Sequence, residues 1–213
     1  MEESNYAPGS IEEVKDIRRM MERSRRFISL SGLSGVAAGV CALGGSTAAV
    51  AILSEFKKHR NDPGEHYDLH WLIMRLSILS IIVFVAALLS AYLFTWRRAK
   101  KQHLPMWDYT TRKLLWNLLI PLCTGGLFIV GLLRYDEWWF VAPSCLIFYG
   151  LALVNASKYT LTDIRYLGYL EIILGLINMW FTGYSLIFWA IGFGLLHVLY
   201  GVFMWNKYEK NNE

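Results

Sequence analysis

Six stretches of this chain carry almost no charge, and each approaches or exceeds the roughly 20 helical residues needed to cross a hydrocarbon layer of ~30 Å. They run over residues 27–53, 72–96, 114–133, 138–154, 164–181 and 186–205. None alternates with period two, which excludes barrel strands, and a segment inside lipid must satisfy its backbone hydrogen bonds within itself. A chain of 213 residues that is 55% hydrophobic has enough apolar material for one soluble core. Runs of Leu, Ile, Val, Phe and Ala this continuous, however, have no polar face to present to water. The expected fold is an all-α, integral membrane six-helix bundle.

Lysine and arginine give the orientation. Lys15, Arg18, Arg19, Arg23, Arg25 and Arg26 precede the first stretch, and Arg97, Arg98, Lys100, Lys101, Arg112 and Lys113 lie between the second and third. Lys158 and Arg165 follow the fourth, and Lys207 and Lys210 end the chain. The alternate side holds Lys57, Lys58, Arg60 and Arg134. Both termini are therefore expected in the cytoplasm, with the protein multi-pass in a bacterial cytoplasmic (inner) membrane. Trp71, Trp96, Trp138, Trp139, Trp180 and Trp205 fall at the proposed interfaces, where indole prefers to sit. The net charge of +4 then reads as an orientation signal and an attraction to anionic headgroups, with no nucleic-acid partner implied.

Residues 1–26 form a cytoplasmic N-terminal segment. Its basic residues and the later "AVA" at 49–51 resemble a cleaved signal peptide, but the polar lead and the long apolar run do not fit one, so the first span is read as permanent. From about residue 10, Ser10 and Glu13 offer a capping box, and Ile11, Val14, Ile17 and Met21 recur at helical spacing. This is a basic amphipathic helix, suited to anionic lipid or to docking a cytoplasmic or membrane protein partner. Cys41, Cys123 and Cys145 all lie inside spans and are expected as free thiols.

The loop after the first span places His66 and His70 one helical turn apart if Asp62 and Pro63 start a helix there. Two imidazoles are a weak metal signal without a third ligand, so no metal and no cofactor is expected. Inside the spans the ionisable residues are Arg75, Glu171 and His197, and each costs a few kcal/mol at the bilayer centre. Arg75 lies near a span end, where its stem reaches the interface.

Glu171 and His197 sit deeper, roughly 10 and 12 Å from the cytoplasmic ends of their helices at ~1.5 Å per residue. Gly168, Glu171, Gly175 and Asn178 share one helical face, and Gly194, His197 and Gly201 repeat the arrangement. The short "TGYS" connection makes the two helices antiparallel neighbours, and a direct hydrogen bond between the pair is geometrically allowed. Such a pair is polar glue between helices, or a proton-handling couple; as a catalytic or metal site it lacks a nucleophile and further ligands. Pro121 frees the carbonyl of Asn117, and Asn117, Thr124, Tyr149, Asn178 and Tyr200 are the expected lining of a small cytoplasmic-side pocket.

No nucleotide-binding, zinc-protease or hydrolase motif is present, and the two halves show no repeat, so the chain is read as a non-enzyme. The blocks "RRMMERSRRFISLSGLSGVAAGVCAL", "LVNASKYTLTDIRYLGYLEIILGL" and "LIFWAIGFGLLHVLYG" resemble a group of roughly 200-residue, six-span bacterial inner-membrane proteins with no established activity. That resemblance implies a compact helical bundle and transfers no site residues. The functional expectation is a non-enzymatic membrane module that scaffolds or regulates a partner through its cytoplasmic basic face. The alternative is a small transporter or proton-linked sensor using Glu171 and His197. Ser31, Gly32, Gly35 and Gly39 make the first span a smooth wall, expected to lie against the fifth or sixth span or against its copy in a homodimer.

Overall fold

The computed structural model describes residues 31–59, 69–101 and 107–210. The N-terminal amphipathic segment and His66 lie outside the described residues. Helix α1 covers Gly32–His59, α2 Leu69–Lys101 and α3 Tyr109–Arg134. A 3-10 turn at Trp138–Phe140 leads into α4, Val141–Ala156, and α5 follows at Ile164–Trp180. The last rod is composite. It runs through a 3-10 turn at Thr182–Tyr184, α6 at Ser185–Trp189, a π-helical stretch at Ala190–Leu196 and α7 at His197–Tyr208.

No strand occurs among the described residues. Five rods have the length and apolar content to cross a membrane: Gly32–His59, Leu69–Lys101, Tyr109–Arg134, Trp138–Ala156 and Thr182–Tyr208. Helix α5 is shorter, at 17 residues. The architecture is that of an all-helical, multi-pass membrane protein.

Local chemistry accounts for the start of α3 and for a hydrogen bond missing inside it. Asp108 caps α3 by accepting from the Thr111 amide at 2.7 Å and from its hydroxyl at 2.9 Å. Pro121 then removes a donor inside α3, leaving the Asn117 carbonyl without its helical partner. Asn155 of α4 supplies the replacement, its Nδ2 donating to that carbonyl at 2.9 Å. The Asn117 side chain is turned elsewhere and donates to the Lys113 carbonyl.

Glycine-faced crossings set the packing order. A Cβ on Gly201 of α7 would fall 2.5 Å from the Val36 amide nitrogen and 2.7 Å from the Gly32 carbonyl oxygen, and one on Gly39 would fall 2.7 Å from the Gly194 carbonyl. Helix α1 and the last rod therefore touch backbone to backbone. The second such crossing joins α4 and α5, where Cβ atoms on Gly150 and Gly168 would meet each other's carbonyls at 2.6 and 2.8 Å. Helix α2 lays Val83 against Gly45 of α1, and α4 lays Phe148 against Gly125 of α3. Helices α4, α5 and α7 close around Leu153, Leu161, Ile164, Leu167 and Met204. The outermost rods are α2 and α3, with only 6% of each apolar window buried. Residues such as Ile81, Leu89, Leu127 and Val130 form exposed apolar faces on them that suit hydrocarbon and not water.

At one end of the bundle polar contacts join four helix termini. Glu209, just past α7, accepts from the Ser31 hydroxyl at 3.2 Å and from the Gly32 amide, placing a carboxylate at the start of α1 where the helix dipole favours it. Arg98 near the end of α2 pairs with the same carboxylate at 2.9 Å. Asp163, preceding α5, accepts from Lys207 Nζ at 2.6 Å and from the Tyr208 hydroxyl at 2.9 Å. Burial pushes the Asp163 carboxyl up, but these two hydrogen bonds and the lysine charge outweigh it and hold the group below the usual carboxylate range.

Two outcomes follow from this packing. Gly201→Ala should lower stability in detergent by about 1–3 kcal/mol, because backbone and not a movable side chain faces the new methyl. Gly44→Ala, whose added methyl meets nothing within 4 Å, should leave the thermal midpoint unchanged or slightly raised. For Asp163 the folded value lies below the unfolded value of ~4, so its contribution is complete above that pH and is lost as pH falls through the folded value. Thermal midpoints of Asp163→Asn should thus lie below wild type at neutral pH and converge with it in acid.

Candidate functional site

Helix α5 buries the face expected from its sequence: Gly168, Glu171, Gly175 and Asn178 are all buried, and Glu171 and Asn178 are 0% exposed. The glycines allow this. Gly168 faces Gly150, and Gly175 faces Ile147 and the Pro143 carbonyl, so α4 lies close on both sides of the carboxyl. Across from α4, the last rod presents Gly192, where a Cβ would fall 2.6 Å from Glu171 Oε2. The carboxyl thus sits in a slot formed by three helices and roofed by bare backbone.

His197 opens α7 directly after the π-helical stretch and is buried. Its Nδ1 lies 2.9 Å from the Gly192 carbonyl, and its Nε2 lies 2.7 Å from the Tyr149 hydroxyl. A carbonyl can only accept, so Nδ1 carries the hydrogen, Nε2 is the acceptor and Tyr149 donates. Both ring nitrogens are satisfied with the imidazole neutral. Glu171 Oε1 lies 3.4 Å from Nδ1. That is ion-pair range, but the Nδ1 hydrogen is committed to Gly192, and neither carboxyl oxygen has a hydrogen-bond partner among the described residues. The hydrogen bond allowed by the sequence between Glu171 and His197 is therefore replaced by a contact, with backbone taking the donor.

Aromatic rings complete the enclosure. Phe193 lies 6.1 Å from the His197 ring and 5.2 Å from Tyr149, and Trp189 lies 5.3 Å from Phe193. Further along α5, Asn178 Oδ1 accepts from the Ser185 hydroxyl at 3.1 Å while its Nδ2 has no partner.

The residues expected to line one pocket fall in four places. Tyr149 joins Glu171 and His197. Asn178 lies beyond them, ~10 Å further along α5. Asn117 and Thr124 belong to the interface of α3 and α4, where Thr124 lines a groove facing away from Glu171. Tyr200 packs against the core of α4, α5 and α7, and its buried hydroxyl has no hydrogen-bond partner among the described residues. The packing residues Gly32, Gly35, Gly39, Gly194 and Gly201 meet between α1 and the last rod, and Gly168 and Gly175 meet α4. Ser31 donates to Glu209. His70 is exposed near the start of α2, and no group of three metal-binding side chains occurs among the described residues. Cys41, Cys123 and Cys145 are free.

Gly192 and Phe193 were not evident as site residues, because their role depends on the π-helical stretch that turns the Gly192 carbonyl and the His197 ring toward each other. Such stretches recur at functional sites. Compared with known proteins, the chain matches no family model, no curated protein and no solved structure.

Removing the Tyr149 hydroxyl tests the assigned tautomer. Tyr149→Phe leaves Nε2 as a buried acceptor without a donor, which should cost about 1–3 kcal/mol in thermal or chemical unfolding. In an NMR spectrum of labelled histidine, the Nε2 resonance should lose its hydrogen-bond shift while Nδ1 remains protonated.

Proposed function

We propose that this chain is a proton-responsive membrane module in which the Glu171 carboxyl, coupled to His197, gains and loses one proton inside the bundle and the helix packing transmits the change to the basic end. The carrying observation is that the fully buried Glu171 carboxyl makes no hydrogen bond with a described residue, although an imidazole nitrogen lies 3.4 Å away. A residue kept as polar glue would collect the hydrogen bond that offsets its burial. Here the donor is given to Gly192 instead, and Glu171 is left one small ring movement from His197. Release of the Glu171 proton to solvent would leave a carboxylate 3.4 Å from Nδ1, drawing the Nδ1 hydrogen away from Gly192 and toward the carboxylate. Two such groups titrate as a couple. The ionisable groups facing Glu171 are His197 of α7 and Tyr149 of α4.

The same proposal includes six crossings, with both termini in the cytoplasm of a bacterial inner membrane, as in the group the sequence resembles. Parity supports it: the start of α1, the end of α2, the start of α5 and the end of α7 meet through Ser31, Arg98, Asp163, Lys207 and Glu209. That arrangement supports the reading of α5 as a crossing in its own right. The same end carries Arg97, Lys100, Lys101, Lys158 and Arg165, against Lys57, Lys58 and Arg134 at the other. A cytoplasmic partner or anionic lipid at this basic face is the proposed recipient of the signal.

The test is a pH titration of tryptophan emission, which reports on the site through Trp189 and Phe193. Wild-type protein, titrated across about pH 5 to 9, should show a one-proton transition. Glu171→Gln should abolish it while remaining folded. An unchanged transition in that variant, or a variant that only loses stability with no pH-dependent signal in either protein, would reduce the pair to helix packing.

A further inference from the structure

The second polar locus in the bundle is separate from Glu171. Between α3 and α4 a groove of about 440 Å³ opens to the outside of the bundle, a volume within the range of small-molecule sites. Its floor is apolar, formed by Pro121, Phe148, Leu151 and Val154. The Thr124 hydroxyl within it already donates to the Ile120 carbonyl at 2.8 Å and adds no free donor. Polarity returns only at one end, where Asn155 and Lys158 stand. From Phe148 to Lys158 the groove follows ten residues, or about 15 Å of helix.

The charged end coincides with the polar boundary of the bundle. Lys113 of the first turns of α3 lies over the Tyr109 ring at 4.5 Å and the Tyr159 ring at 5.9 Å, so the start of α3 and the end of α4 share a level. Arg112 is exposed at that level. Lys158 is also exposed, and it makes no hydrogen bond or ion pair with a described residue. The nearby carboxylates are committed elsewhere, Asp108 to the α3 cap and Asp163 to Lys207. An apolar channel in a lipid-facing surface, ending in uncompensated positive charge at the headgroup level, matches an amphipathic anion.

We infer that the groove between α3 and α4 holds one anionic phospholipid, its acyl chain along Pro121, Phe148, Leu151 and Val154 and its phosphate at Lys158. Basic sites between spanning helices on the positively charged side of a membrane protein recognise such headgroups. Pro121 underlies the site: it interrupts α3, and Asn155 is drawn to the freed Asn117 carbonyl, which fixes the two helices around the opening. The inference rests on the membrane-spanning architecture and is independent of the proton site.

Native mass spectrometry of the full chain, titrated with phosphatidylglycerol and with phosphatidylcholine of the same acyl chains, tests it. One phosphatidylglycerol should be retained in preference to phosphatidylcholine. Lys158→Gln should reduce that preference by about fivefold, the change expected for one cation at a headgroup. Leu151→Trp, at an exposed position on the floor, should reduce occupancy by both lipids; Thr124→Trp from the facing helix provides the same obstruction if the first variant does not fold. Equal binding of the two lipids by wild type, an unchanged preference in Lys158→Gln, or unchanged occupancy in the tryptophan variants would overturn the inference. Displacement by inorganic phosphate alone would also overturn it, since the chain would then contribute nothing.

Discussion

Where Gly201 crosses Gly32 and Val36, and where Gly168 crosses Gly150, no side chain separates the helix backbones. In lipid, apolar side chains gain nothing by leaving hydrocarbon for one another, so association depends on close packing and on polar contacts between helices. The two glycine crossings supply the first. They tie α1 to the last rod and α4 to α5, and the cluster around Leu153, Leu167 and Met204 joins the two halves. The slot for Glu171 exists only because Gly192 and Gly168 leave space on opposite sides of it. A methyl at Gly192 would collide with the carboxyl and with Leu146.

The same closeness sets the electrostatics. A carboxyl at 0% exposure and an imidazole held by two hydrogen bonds share a volume with no described charge to balance them. At low effective dielectric the two groups interact strongly, and a change in either is felt by the other. The π-helical stretch stores the alternative: it places a backbone carbonyl where the carboxylate would otherwise receive its hydrogen bond. The far end, with Glu209 on the start of α1 and Asp163 on Lys207, holds the helices that meet at this site in fixed register. A single continuous helix, His197–Tyr208, joins the imidazole to the basic surface, and the proposed signal would travel along it.

Much of this architecture was legible in the sequence because lipid imposes simple rules. Long apolar runs became helices, and Gly168, Glu171, Gly175 and Asn178 were placed on one face by spacing alone. The smooth face of the first span was recognisable from Gly32, Gly35 and Gly39, and the freed Asn117 carbonyl from Pro121. Which partner each polar group takes was not legible. The donor from Asn155, the Tyr149 hydroxyl on His197 and the Gly192 carbonyl all depend on helix rotation and on a local π-helical winding that residue types do not specify. Asn117 and Thr124, Tyr149, and Asn178 differ in azimuth, and Asn178 differs also in depth, so grouping them as one lining merged two loci and an outlying amide. Glu209 carries no signal in the sequence, because its role follows from the start of α1 and the end of α7 meeting in space.

The central claim is that Glu171 changes protonation within the folded bundle. Infrared difference spectroscopy of the protein in lipid, recorded across about pH 5 to 9 and compared with Glu171→Gln, measures this at the carboxyl itself. The account predicts a protonated carboxyl band, at a frequency typical of a group without hydrogen bonds, that titrates with pH and is missing from the variant. A carboxyl band that is absent or constant across that range would contradict it.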